Sequence, residues 1–245
     1  MTPVPDLRQV QIAVLSKAPI AGLAKTRLIP ALGAIGAARL QRWLTVRTVR
    51  CAIDAGLGPV TLWCAPDSRH RFFRALRKTL GIRCIDQPTG ELGQRMHAAF
   101  VQQCAAGPVL LVGTDCPALS PQHFRTAAQA LVEGADAVFQ PAEDGGYVLV
   151  GLQRPQPALF TGIAWSTAVV MAQTRSRARE HGIRMEEMET LWDVDEPADL
   201  QRLRAMVGDT ATWDRQIERD LAARKLDGLL AEAQADYQAG LEREL

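Results

Sequence analysis

The chain has 245 residues, 47% hydrophobic and 22% charged, which is enough apolar material for a buried core and excludes wholesale disorder. Its 28 basic and 27 acidic residues leave a net charge of +1, so the broad cationic footprint of a nucleic-acid or anionic-membrane binder is absent and any anion site must be local. Cys51, Cys64, Cys84, Cys104 and Cys116 are scattered and lack C-x-x-C pairing. A disulfide framework or zinc site is not expected, and a reduced, cytoplasmic setting fits. Residues 1–11 do not read as a signal peptide, and no apolar run is long enough to span a membrane.

In chain order, residues 10–15 (V-Q-I-A-V-L) form a short apolar run suited to a buried strand. Directly after it comes S-K-A-P-I-A-G-L-A-K-T-R-L, with Lys17, Lys25 and Arg27 grouped around Gly22. A glycine lets backbone N–H groups approach an anion, and the cations then neutralise phosphate. The segment matches neither the P-loop nor G-x-G-x-x-G; a solvated basic loop is the other reading. A helix is predicted over 33–55, stopped by Gly56, then a strand over 60–65, a basic amphipathic helix over 68–80 and a short strand over 83–87. In T-G-E-L-G-Q-R-M, Gly90 and Gly93 flank the start of a helix over 91–105. Such a start offers N–H donors to a phosphate or base, although Glu91 alone would also complement the helix dipole.

Residues 109–113 (V-L-L-V-G) are the most apolar strand and read as central. Asp115 follows, a hard oxygen ligand suited to Mg²⁺ or, alternatively, a turn cap. Thr114 and Cys116 are expected only to shape that turn. Ser120 and Pro121 open a helix to 132. After a strand over 136–140, Glu143 and Asp144 precede Gly145 and Gly146; this is a ligand loop or a plain hairpin turn into the strand over 147–152. A helix over 166–180 with Ser166 as N-cap, an edge strand near 183–188 and an extended segment over 191–194 complete the alternation. In L-W-D-V-D-E-P, Asp193 and Asp195 are two apart and face one side of extended chain. Two such carboxylates repel unless a cation or hydrogen-bond donors lie between them, and a divalent ion would serve; alternatively Asp195 caps a helix over 197–206. His70, His97 and His123 fall on predicted helices and His181 directly follows one, and neither H-x-x-x-H nor G-x-S-x-G is present, which removes the main evidence for a metalloprotease or α/β-hydrolase. Trp63, Trp165, Trp192 and Phe139 are core candidates.

Strands alternating with helices predict βαβ units and a three-layer α/β/α domain, Rossmann-like, with a mostly parallel central sheet over residues 1–207. Ligand residues in such sheets belong at the strand carboxyl ends, where the motifs above fall. Residues 208–245 carry a helical period and read as a helical extension that could join two chains into a homodimer.

The motifs together, K-A-P-x-x-G-x-x-K-T-R-L, G-E-L-G-Q-R-M, G-T-D-C-P-A-L, P-A-E-D-G-G-Y-V-L-V-G-L and W-D-V-D-E-P-x-D-L, resemble bacterial glycosyltransferase-like proteins of the A-type nucleotide-diphospho-sugar transferase fold. They are more distantly similar to 2-phospholactate and molybdenum-cofactor guanylyltransferases. The resemblance covers roughly residues 12–203. It implies a Mg²⁺- or Mn²⁺-dependent transferase taking a nucleotide sugar or nucleoside triphosphate to a small-molecule acceptor; nucleotidyl transfer and nucleotide binding without turnover are the alternatives. It implies that Lys17, Gly22, Lys25 and Arg27 hold phosphates and that Gly90, Gly93 and Arg95 lie near the base or ribose. Asp115, Asp193 and Asp195 would bind metal, and Glu143, Asp144, Gly145 and Gly146 would border the acceptor. Asp115, Lys25 and Asp144 are the expected catalytic groups. Cys116 and Pro117 stand where glycosyltransferases of this fold usually complete D-x-D.

Overall fold

The structure, a computed structural model, describes residues 6–207. The expected extension over 208–245, and any homodimer through it, lie outside the described residues. Seven strands, β1 (Gln11–Lys17), β2 (Val60–Ala65), β3 (Arg83–Asp86), β4 (Val109–Val112), β5 (Ala137–Pro141), β6 (Tyr147–Leu152) and β7 (Met185–Glu187), form one sheet in the order β3-β2-β1-β4-β6-β5-β7. Every pairing is parallel except those of β6, which runs antiparallel between β4 and β5. The expected mostly parallel α/β sheet is the one found.

Among the described residues six α-helices cover it: α1 (Ile29–Asp54), α2 (Arg71–Leu80), α3 (Leu92–Gln103), α4 (Pro121–Val132), α5 (Val170–Glu180) and α6 (Asp199–Val207). Strand side chains alternate between two faces. Ile12 and Val14 of β1 therefore join Val49, Phe73 and Phe124 in one core with α1, α2 and α4, while Ala13 joins Phe100 and Met171 in a second core with α3 and α5. A third cluster packs Leu40, Trp43 and Leu44 of α1 against Trp192, Val194, Leu200 and Leu203, which fastens the 191–203 segment to the body.

Three predicted boundaries are corrected. Helical φ/ψ is interrupted at Gly33 (φ 68°, ψ 165°), so the predicted start of α1 marks a break within a longer element rather than its first residue. Ser166 does not cap α5: it has φ 62°, and the helix begins four residues later at Val170. Asp195 does not cap α6 either. That helix begins at Asp199, whose own Oδ2 accepts from the backbone N–H groups of Asp195 and Glu196 at 2.9 and 2.7 Å. None of the helices among the described residues is long and apolar enough to cross a membrane, and the five cysteines are free.

Candidate active site

Strand order decides where a site can form. From β1 the chain moves outward to β2 and β3, then returns to place β4 on the other side of β1. The loops after β1 and β4 therefore leave the sheet in opposite directions and open a crevice at its carboxyl edge, the usual ligand position in this architecture. The loop after β1 carries Lys25 and the loop after β4 carries Asp115. The hairpin between β5 and β6, with Glu143 and Asp144, and the segment after β7, with Asp193 and Asp195, open at the same edge.

Lys25 is the hub. Its backbone is left-handed (φ 49°, ψ 48°), an uncommon conformation for a side chain with a Cβ, and its side chain is only 4% exposed. Nζ lies 2.7 Å from Asp115 Oδ1 and 3.9 Å from Asp195 Oδ1, and it donates to the Val194 carbonyl at 2.6 Å. Arg27 pairs with Asp195 from the solvent side. The Val194 N–H donates to the Asp115 carbonyl at 2.9 Å, so the β4 loop and the late acidic segment are joined through backbone as well. One cation thus gathers residues from three distant parts of the chain.

Beyond this ammonium the site carries surplus negative charge. The Asp193 carboxyl is pushed up to about 6, first by burial, then by the neighbouring charges of Asp144 and Asp115, with Lys25 acting in the opposite direction. Asp115 is compensated by Lys25, and Asp195 by Arg27 with Lys25 at longer range, so the unmatched acids are Asp144 and Asp193. Asp144 Oδ1 accepts from the Gly146 N–H at 2.8 Å, which shapes the hairpin turn while leaving the carboxylate exposed. Among the described residues no three His, Cys, Asp or Glu side chains form a ready-made metal cage.

The other candidates are placed as follows. Gly22 has φ 86° and nothing within 4 Å of where a Cβ would stand, so the turn is open to a ligand. The Lys17 side chain is exposed and makes no ion pair among the described residues. Glu143 is held by Arg202 at 2.8 Å, and that guanidinium also lies 4.6 Å over the Trp192 ring. Gly145 (φ 87°) lets the 164–169 loop close in, since a Cβ there would lie 2.2 Å from the Ala168 carbonyl. At the start of α3, Gln94 Oε1 accepts from the Glu91 N–H at 3.0 Å, so part of that helix start is satisfied by its own side chain. Gly90 has φ 118°. Arg95 Nη1 donates to Gln87 Oε1 at 2.8 Å, its Nε is buried without a partner among the described residues, and burial lowers the pKa of its guanidinium.

Gly93 has a packing role that the motif did not suggest. A Cβ there would stand 2.6 Å from the Trp165 indole. Gly93→Ala is expected to displace that ring and destabilise the domain by about 1–3 kcal/mol, the usual range for overpacking. Chemical denaturation followed by Trp fluorescence checks both effects.

Sequence reasoning also missed the polar supports. Gln41 Nε2 donates to Thr114 Oγ1 at 3.1 Å and to Thr45 Oγ1 at 3.2 Å, and Thr45 in turn meets Ser16 Oγ at 2.9 Å. All four are buried, and they lock the ends of β1 and β4 to α1. Gln87 Nε2 reaches the Ser16 and Trp63 carbonyls at 3.1 and 2.9 Å. The signal was present in α1, where Gln41, Thr45 and Thr48 form a polar stripe at helical spacing on an otherwise apolar face. Cys116 is buried, with its thiol pushed up to about 12 by desolvation, which fits a turn-shaping residue and not a nucleophile.

Comparison with known proteins agrees with this architecture. The model of a family described as "Uncharacterized protein conserved in bacteria (DUF2064)" matches residues 48–167, a stretch that includes Asp115 and residues 143–146. The crystal structure of a provisionally assigned nucleotide-diphospho-sugar transferase from Desulfovibrio desulfuricans G20 superposes with a TM-score of 0.76 at 25% identity, covering 86% of this chain and 95% of that one. The 4-diphosphocytidyl-2C-methyl-D-erythritol synthase of Anaerococcus prevotii DSM 20548 gives 0.54 at 13% identity over 83% and 98% of the two chains. The inositol-1-phosphate CTP transferase of T. maritima gives 0.53 at 11% identity over 86% and 96%. None of the proteins of curated function matches the chain. The resemblance to the nucleotide-diphospho-sugar transferase fold is borne out, and nucleotidyltransferases share that fold.

Proposed function

We propose that this chain is a divalent-metal-dependent transferase whose donor is a nucleotide sugar or a nucleoside triphosphate and whose acceptor is a small molecule. The observation that carries the reading is the meeting of Lys25 with Asp115 and Asp195 at the switch point of the sheet, beside the unmatched acids Asp193 and Asp144. Asp115 and Asp193 would hold Mg²⁺ or Mn²⁺, which when bound supplies charge neutralisation for the donor phosphates. Lys25 holds Asp115 in place and adds fixed positive charge. Arg27 and Lys17 face solvent, where they can meet phosphate oxygens as the donor enters, and Gly22 allows close backbone approach. Rate enhancement then comes from positioning and electrostatics rather than from a covalent intermediate.

A second reading, nucleotidyl transfer, is favoured by one feature. Only Asp115 in the β4 loop offers a carboxylate, because Cys116 and Pro117 occupy the following positions and Arg47 holds the Pro117 carbonyl at 2.8 Å. Phosphorus NMR separates the two. With Mg²⁺, nucleotidyl transfer releases pyrophosphate, whereas sugar transfer releases a nucleoside diphosphate. The donor set is narrowed first by thermal shift, since a ligand of the folded state raises apparent stability. If no nucleoside triphosphate or nucleotide sugar shifts the transition with Mg²⁺ present, the proposal falls.

A further inference from the structure

A cavity of about 420 Å³ lies between α4 and the edge strand β7, and it shares no lining residue with the site above. Its walls include apolar Ala130, Val138 and Met188. Gln140 also lines it and is fully buried. The Gln140 amide nitrogen donates to the Glu189 carbonyl, which fixes the amide orientation and leaves Oε1 without a hydrogen-bond partner among the described residues. A buried acceptor with no donor is a costly arrangement that a bound group can relieve.

The charge of the cavity is one-sided. Glu186, Glu187 and Glu189 line it, and no Lys or Arg does. Arg175 engages Glu187 at 2.6 and 2.8 Å, while Glu186 and Glu189 make no ion pair with Lys or Arg among the described residues. His123 does not reverse this. Its Nδ1 accepts from the Ser120 N–H at 3.0 Å, which places the ring proton on Nε2, and Nε2 meets Glu189 Oε1 at 3.0 Å. The imidazole therefore orients Glu189 and adds no free donor to the cavity.

We propose that this cavity binds a free primary amine in its ammonium form, on a short aliphatic stem. An ammonium group carries three donors and no acceptor, which matches Gln140 Oε1 and the Glu189 carboxylate, while the stem lies against Val138, Ala130 and Met188. A guanidinium brings more donors than these acceptors satisfy. A second copy of the chain would set Glu186 and Glu189 against their counterparts, which opposes edge-to-edge pairing.

The test uses the full chain at neutral pH, titrated with n-butylamine and, as the neutral near-isostere, n-butanol, followed by amide NMR shifts. Butylammonium is expected to saturate, with shifts grouped at Val138, Gln140, Met188 and Glu189, and to bind about tenfold more tightly than butanol. Gln140→Leu, which leaves an apolar group of similar size, is expected to weaken butylammonium binding about tenfold. Glu189→Gln, on the exposed rim, preserves an acceptor for His123 and is expected to weaken it about threefold; it decides the matter if Gln140→Leu fails to fold. Three results would each overturn the proposal: no saturation by about 50 mM, equal binding of the alcohol, or binding indifferent to the variant that folds.

Discussion

Lys25→Met is expected to lower turnover about 100- to 1,000-fold, the scale seen when one preorganised charge is removed from a transfer site. The prediction rests on what the ammonium does at once. It lies 2.7 Å from Asp115, approaches Asp195 at 3.9 Å and holds the Val194 carbonyl at 2.6 Å. Met has nearly the same length and no charge, so the variant leaves the space filled but strips the only cation among the described residues that reaches both Asp115 and Asp195. The acids then repel, and the 191–195 segment keeps only the Arg27–Asp195 pair as its charged tie to the loop after β1 among the described residues. Breaking a fully buried ion pair costs about 3–5 kcal/mol. Asp115 is 48% exposed, so water screens the loss and about 1–2 kcal/mol is the better expectation for stability. Lys25→Arg keeps the charge, but its planar fork does not fit a space that leaves Lys25 only 4% exposed, so it should recover little. Steady-state kinetics at saturating donor, beside urea denaturation without ligand, separates the two effects. Turnover within about threefold of the parent would reduce Lys25 to a structural strut.

This hub also shows how far a sequence can be read. The positions of Asp115 and Asp144 at one edge follow from strand–helix alternation, because each comes just after a strand that the apolar runs reveal, and parallel strands end on one side; Lys25 and Asp193 lie farther along the loops that leave the same edge. The Gly145–Gly146 turn was equally legible: it is the hairpin turn between β5 and β6 and lies at the same edge as Asp115, so the two readings offered for it need not compete. What could not be read is who compensates whom. Arg27 and Asp195 are 168 residues apart, and no periodicity reports such a contact. Asp193 and Asp195, spaced by two, were expected to need a cation between them; Lys25 and Arg27 pair with Asp195, while Asp193 has Lys25 only as a nearby favourable charge. Capping was misjudged for a related reason. Asp195, Ser166 and Asp199 are all residue types that cap helices, and tertiary packing selected the one that lies inside α6 while Ser166 took a left-handed turn. The antiparallel insertion of β6 between β4 and β5 follows from a hairpin signal that was present, yet the apolar run of β6 looks like any buried strand and gives no direction.

Asp193→Asn should stabilise the protein while disabling it. In the folded chain the Asp193 carboxyl is raised to about 6 from an ordinary 3.8, chiefly by burial and then by Asp144 and Asp115. A raised carboxyl means that the folded state holds its proton where the unfolded chain has released it. Between about pH 3.8 and 6 the folded form binds more protons, so stability falls as pH rises through that window. The contribution of the protonated acid is complete below the unfolded value and gone above the folded one. Its full worth would be about 3 kcal/mol, but partial exposure reduces this to about 1–2 kcal/mol. Asn cannot ionise, so the variant should keep that stability at pH 8, where the parent has lost it, and the midpoints should converge near pH 4. The same substitution removes a carboxylate from the acids proposed to hold the divalent ion. Mg²⁺-dependent nucleotide binding should weaken about tenfold or more, and turnover about 100-fold. The parent should itself gain Mg²⁺ affinity as pH rises through 6, since only the ionised carboxylate is a good ligand. Stability that rises in the variant while Mg²⁺ response disappears would identify charge repulsion at this edge as a cost retained for binding. An Asn variant that is destabilised at pH 8, or that keeps its Mg²⁺ response, would instead mean that Asp193 serves the packing of the 191–195 segment and that the cation site lies elsewhere.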